Sequence, residues 1–216
     1  MNKYVLCVLL ALGPAMIFCQ QCPQDLNNNG VIDGGDLLEL LSLYGQICNP
    51  ALEFAPVISE IHYNPSFEQG PDSEWEFVEI YNPYTVTIDI SGWYITDEVE
   101  APFAEGTHIE PGRYVLITAD IDSYAGELPY ATQLVEFSSG TELSNNGGII
   151  RLVNDDGVEI DRVQYSDFSE WPTEPDGDGP SLEWRGIGFD NSLPSSWLPS
   201  NSFGGSPGAP NSTWAD

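Results

Sequence analysis

From residue 57 onward, apolar and polar residues alternate in short runs separated by turn residues. VISEIHYN (57–64) and EWEFVEIYN (74–82) are rich in β-branched and aromatic residues, and a polar loop with Gly and Pro joins them. TIDISGWYIT (87–96) follows at once. A period of two with such residues predicts half-buried strands. The pattern predicts strands at 57–64, 75–82, 87–96, 113–119, 133–137, 148–153, 158–165 and 181–184. Turns such as Asn154-Asp155-Asp156-Gly157 and Pro111-Gly112 fall between them. Many short strands at even spacing, with no long helical run, predict a mainly β domain built as an antiparallel β-sandwich. In VEIDRVQY (158–165), Val158 and Ile160 share one parity and Val163 and Tyr165 the other. Both pairs reach a core only across a bulge, expected near Asp161 and Arg162.

The pattern changes before residue 57. Residues 1–19 open on Lys3, continue as an apolar run, and are broken by Gly13 and Pro14. That is a secretory signal peptide, cut before Gln20. A lipoprotein cut before Cys19 is the rival, and bulky Phe18 counts against it. The chain is therefore expected to be secreted or displayed at the cell surface. Two cysteines then remain, Cys22 and Cys48, and an exported chain pairs them as one disulfide.

Residues 20–50 form a small unit of different chemistry. DLNNNGVIDGGD (25–36) places Asp25, Asn27, Asn29, Asp33 and Asp36 at the side-chain positions of an EF-hand-type calcium loop. Gly30 stands at the sharp turn and the Val31 carbonyl supplies a backbone oxygen. Ca2+ is a hard cation, so alternating oxygens on a tight loop suit it. Ile32 is expected to face a core. Asp36 is expected to cap a helix whose stripe is Leu37, Leu40, Leu41 and Tyr44. A unit this small needs a staple or a metal, and the residues offer both. Residues 51–55 read as a linker, 56–211 as the second domain and 212–216 as a tail. Within 172–211, Trp184, Trp197 and Phe203 punctuate a Pro/Gly/Ser-rich segment, which is expected to wrap against the sandwich.

Charge narrows the partners. Lys and Arg total 5 against 34 Asp and Glu, a formal net charge of −29. Such a surface repels nucleic acid and anionic lipid and favours a soluble monomer. It suits divalent cations or basic partners. No later stretch is long and apolar enough to insert into a membrane.

Two resemblances add to this reading. The 25–36 loop with its helix resembles one dockerin repeat, whose loop carries the shorter Asp at its last position. Dockerins carry two repeats, and one is visible here, so calcium binding is implied and docking onto a cohesin is not. From residue 57 to 211 the chain resembles a lamin-tail domain, on ISEIHYNP, EFVEIYNP, Ile90-Ser91-Gly92-Trp93, IEPGRYVLI, LSNNGGIIRLVNDDGVEIDRVQY, WPTEPDGDGPSLEW and GGSPGAPN. The last two look more like exported bacterial versions than nuclear lamins. The family implies an immunoglobulin-like sandwich with no catalytic residues.

Candidate chemistry is confined to carboxylates. His62 and His108 have no Cys or second His at ligand spacing, and no nucleophile or phosphate-loop motif occurs. Glu60, Glu76 and Glu79 lie on adjacent predicted strands. Asp176, Asp178 and Glu183 bracket a DGDGP loop and form a candidate second metal site. Three readings follow. The first is an exported, calcium-stabilised, non-catalytic module attaching to a protein or extracellular polymer. The second is a carbohydrate-binding accessory of an extracellular hydrolase system, stacking sugars on Trp171, Trp197 and Trp214. The third is a hydrolase built around Glu60 and Glu79.

Overall fold

Among the described residues, the alternating runs and the turns between them give twelve short strands. The computed structural model describes residues 31–37, 54–126, 128 and 131–214. The chain divides into two compact units, residues 1–48 and 49–216. In the second, β1 (Val57–His62), β2 (Phe77–Tyr81), β7 (Tyr114–Thr118), β8 (Ala131–Glu136), β11 (Leu182–Trp184) and β12 (Trp197–Pro199) make a six-stranded sheet. Its order is β12-β11-β1-β2-β7-β8, antiparallel except for the parallel β7–β8 pair. A four-stranded sheet holds β10 (Glu159–Ser166), β9 (Gly147–Val153), β4 (Tyr94–Asp97) and β5 (Ala101–Pro102) in that order. A small ribbon pairs β3 (Ile88–Asp89) with β6 (His108–Ile109).

One apolar core joins the two main sheets. Ile58, Ile61, Val78, Ile80, Val115 and Ile117 come from the larger sheet, and Ile95, Ile150, Leu152, Val163 and Tyr165 from the smaller. All are buried, so the fold is an immunoglobulin-like β-sandwich. The larger sheet is unusual in that β2 and β7 are buried at every position. A sheet buried on both faces needs a cover on its second side. Part of that cover is a second apolar cluster, Phe77, Leu116 and Tyr124, with Trp75, Leu128 and Leu134 packed against it. Tyr124 belongs to a single helical turn, Ile121–Tyr124, capped by the Asp120 carboxylate. The C-terminal segment supplies the rest.

Several expectations are corrected. The run 87–96 is two strands, because Trp93 N–H donates to the Ile90 carbonyl and Gly92 takes φ +74 in a tight turn between them. β5, β6 and β12 are too short to leave a periodic signal. The bulge in β10 is at Ile160, between Glu159 and Asp161, and the ladder is regular through Asp161 and Arg162. It therefore comes one residue earlier than expected, which puts Asp161 in register with Val163 and Tyr165. The Asp161 carboxylate then accepts the Ile58 N–H and Asn191 Nδ2. Trp184 and Trp197 are buried as expected for a wrapped tail, whereas Phe203 is 59% exposed.

In the first unit, residues 31–37 are described, and 34–37 are helical. Gly35 N–H donates to Asp33 Oδ1 at 2.7 Å, and Asp33 N–H donates to Asp36 Oδ2 at 2.7 Å. That reciprocal pair is a capping box. Asp33 therefore starts the helix, and Asp36 sits in its first turn rather than capping it. Leu37 and Ile32 are both exposed, so neither faces a core here. Asp25, Asn27, Asn29, Cys22 and Cys48 lie outside the described residues.

Candidate functional site

Register brings three glutamates into one row. In β2 and β11, every second residue faces the core, and the residues between face the outer side of the six-stranded sheet. β1 reaches the same arrangement across a bulge at Ser59, with Ile58 and Ile61 in the core and Glu60 on the outer side. Glu60 pairs directly with Glu183 on one side and with Glu79 on the other. The row continues through Leu198 on β12 and Leu116 on β7. Directly paired side chains lie roughly 5 Å apart. All three glutamates are 0% exposed.

The C-terminal segment, residues 203–213, is the strap that closes over them. Ser206 N–H donates to Glu60 Oε1 at 2.8 Å, and Ser181 Oγ also bonds this oxygen. Gly208 N–H donates to Glu79 Oε2 at 2.6 Å, and Ser59 Oγ lies 3.1 Å from Oε1. Ser212 Oγ and Thr213 N–H donate to Glu183 Oε2 at 2.8 and 3.0 Å. Ser206 Oγ stands between two carboxyls, 3.2 Å from Glu60 Oε2 and 2.7 Å from Glu183 Oε1. Asn211 Nδ2 anchors the strap on the carbonyls of Ser59 and Trp184, at 2.7 and 2.9 Å. Gly205 has φ +79, and a Cβ there would land on Glu60 Oε1 and Ser181 Oγ. Small residues let the strap lie flat enough for its amides to reach the carboxyls.

The electrostatics follow from burial without a counterion. Among the described residues, no cationic side chain pairs with any of the three glutamates. Burial, with Glu183 alongside, pushes the Glu60 carboxyl up to about 8. Glu79 is pushed well above the usual carboxylate range by burial first and then by Glu60. His62, also on β1, bonds Gln69 through Nε2, and burial lowers its pKa to about 4.

The other candidate residues are dispersed. Glu76 is not in the row: its Oε2 accepts the Leu143 N–H at 2.9 Å, its Oε1 is unpartnered, and burial raises it to about 8. Asp176 and Asp178 are exposed, and Asp176 accepts Asn64 Nδ2, whereas Glu183 is buried under the strap. The expected second metal site is therefore not assembled. Among the described residues, no set of three His, Cys, Asp or Glu side chains is grouped to hold a metal. His108 Nδ1 bonds the Gly106 carbonyl. Trp197 is 1% exposed and packs on Trp171, with ring centroids 6.2 Å apart. Trp214 lies against Tyr81 at 5.0 Å. The three Trp residues do not form an exposed stacking row, which corrects the sugar-binding expectation.

Sequence reasoning missed Glu183 as a partner of Glu60 and Glu79. Its signal was present in SLEW, where Leu182 and Trp184 flank one acidic residue of opposite parity. Beside the strap lies a recess of about 510 Å3, walled by Trp75, Tyr124, Leu128, Phe203 and Pro207. Tyr124 Oη donates to the Trp75 carbonyl at 2.7 Å and holds that wall in place. Among the described residues, no helix is long and apolar enough to cross a membrane.

No curated protein matches the chain. The family model described as Lamin Tail Domain matches residues 55–167. That span takes in the first five of the seven motifs and stops before β11, β12 and the strap, which complete the larger sheet and its cover. The match covers just over half of the chain, and with the sandwich described above, the chain belongs to the Lamin Tail Domain family.

Proposed function

We propose that the protein is an exported, non-catalytic binding or structural module that attaches to a surface or extracellular partner. The observation that carries this reading is the sealed state of Glu60, Glu79 and Glu183. They are 0% exposed, and hydroxyl and amide donors occupy their oxygens. Paired carboxylates that cleave a glycoside need an opening for the sugar and a place for water. Here a strap lies in that place. The acidic surface favours a monomer with divalent or basic partners, away from nucleic acid and outside the membrane.

Calcium holds the first unit in this proposal. The supporting observation is the contact between Asp33 and Asp36, two of the six expected ligands, through the capping box. Hard oxygen donors from these residues, with Asp25, Asn27, Asn29 and the Val31 carbonyl, suit Ca2+. The ion would neutralise the loop and stabilise the folded unit.

The test uses the purified full chain. Expected are no turnover on a panel of glycoside, peptide and phosphodiester substrates, and retention of a partner from the extracellular fraction when calcium is present. Turnover that disappears in Glu60→Gln or Glu79→Gln would overturn the non-catalytic reading.

A further inference from the structure

We propose that the strap at residues 203–213 is a proton-held latch: protons on the buried Glu60 and Glu79, beside Glu183, keep it seated, and their loss lifts it off the outer sheet face.

The argument begins with counting hydrogens. Ser206 Oγ carries one proton and lies within bonding distance of both Glu60 Oε2 and Glu183 Oε1. A hydroxyl can donate to only one of them. The shorter contact, 2.7 Å, is to Glu183. The Ser206 oxygen is then an acceptor toward Glu60, and a proton on Glu60 Oε2 completes the bond. Two ionised carboxylates on either side of one hydroxyl would share a single hydrogen, leaving the Ser206–Glu60 contact with no donor in it.

Among the described residues, no cationic side chain pairs with the row. The strap itself, FGGSPGAPNST, has no titratable side chain. From the sheet, the row faces Glu183, Glu60 and Glu79, with Ser181 and Ser59 beside them. His62, two residues from Glu60 on the same face, is buried and held neutral. Burial raises the Tyr124 phenol, and the nearby Glu60 carboxyl raises it further, so it stays neutral as well. Leu198 and Leu116 close the ends of the row. Ionising Glu60 and Glu79 therefore adds negative charge with no cation beside it.

The strap is the element that yields. Its hydrogen bonds to the sheet run through Ser206, Gly208, Asn211, Ser212 and Thr213, and all but those of Asn211 end on a carboxyl of the row. The row residues themselves belong to three strands of a sheet packed on its other face by the main core. Lifting the strap admits water to the carboxyls without breaking a ladder. Phe203, Gly204, Gly205 and Pro207 also wall the aromatic recess, so the recess is complete only while the latch is closed.

The sign of the pH dependence is fixed. In the closed state Glu60 titrates at about 8 against an ordinary 4.5. An opened strap lets it ionise near the ordinary value. Opening is then favoured about tenfold for each pH unit between about 5 and 8.

The test is amide hydrogen exchange on the full chain by NMR, with rates corrected for intrinsic pH dependence. Protection at Ser206, Gly208 and Thr213 should fall by at least ~10-fold for each pH unit across that window. The Val78 and Ile80 amides should keep theirs. Glu60→Gln mimics the protonated carboxyl: its carbonyl accepts from Ser206 N–H and its amide donates to Ser206 Oγ. In this variant the strap amides should stay protected at pH 9. Equal protection of the wild-type strap at pH 5 and pH 9, or the same loss in Glu60→Gln, overturns the latch. The wild-type Glu60 carboxyl carbon gives an independent readout: a titration midpoint below pH 6 also overturns it.

Discussion

Asn82 offers the sharpest test of how this fold is held. It ends β2 in the motif IYNP and is 0% exposed. Its Nδ2 donates to the carbonyls of Val86 and Ile109, each at 2.8 Å. Its Oδ1 accepts the Tyr84 N–H at 2.9 Å. One side chain thus ties the end of the larger sheet to the following loop and to β6. Asn82→Ala removes three bonds worth about 1 kcal/mol each, a loss of about 3 kcal/mol. For a domain of this size that lowers the Tm by roughly 6–12 °C. Asn82→Asp keeps the size and the acceptor but turns both donations into repulsions, because the new carboxylate faces two carbonyl oxygens. At pH 7 it should lose at least as much as Asn82→Ala. Below pH 4 the new carboxyl is protonated, donates once, and recovers about 1 kcal/mol. Urea denaturation at pH 7 and pH 4, with the m-value held common, measures both. If Asn82→Asp at pH 7 unfolds within ~0.5 kcal/mol of the wild type, volume rather than donation is what the site needs, and the reasoning is wrong.

Other outcomes follow from the same structure. Gly205→Ala combines a positive φ with a collision against Glu60 and Ser181, and should destabilise by about 2 kcal/mol or more in the same denaturation assay. Overall stability should fall as pH rises from about 4.5 through about 8, since Glu76 is raised from 4.5 to about 8, stays protonated when folded and ionises when unfolded. Each pH unit in that window costs about 1.4 kcal/mol for one such group. Glu76→Gln should flatten the slope by that share, and an unchanged slope would show that Glu76 titrates normally. Calcium should raise the Tm of the first unit, and Asp25→Ala should remove that rise; an equal response in both proteins would refute the metal assignment.

Much of the sandwich was legible because its chemistry is local. Val78 and Ile80 alternate with Glu79, and Val115 and Ile117 with Leu116, and these parities survive in the ladders. The same parity misleads at Glu60 and Glu79. An acidic residue beside apolar ones reads as solvent-facing, and here it is buried because a segment more than a hundred residues downstream covers it. Nothing local to β1 announces that cover. The bulge shows a smaller version of the limit: the parity break in VEIDRVQY required an extra residue, and the choice of Ile160 depends on Asp161 reaching the Ile58 amide across the sandwich. Phe203 was expected to pack with Trp184 and Trp197 because aromatics seldom punctuate a free linker. Instead, it walls a recess, a role that depends on Trp75 and Tyr124 being brought to its side.

The anchoring of Asn211 has a practical consequence. Asn211-Ser212-Thr213 is an acceptor sequence for N-linked glycans. The nitrogen to which the sugar would attach is already committed to two main-chain carbonyls, and the residue is 4% exposed. A folded molecule therefore cannot be glycosylated there. In a eukaryotic secretory host the oligosaccharide would have to arrive first, and a chain that received it could not afterwards seat its C-terminus. Material for structural or binding work is best made where that modification does not occur.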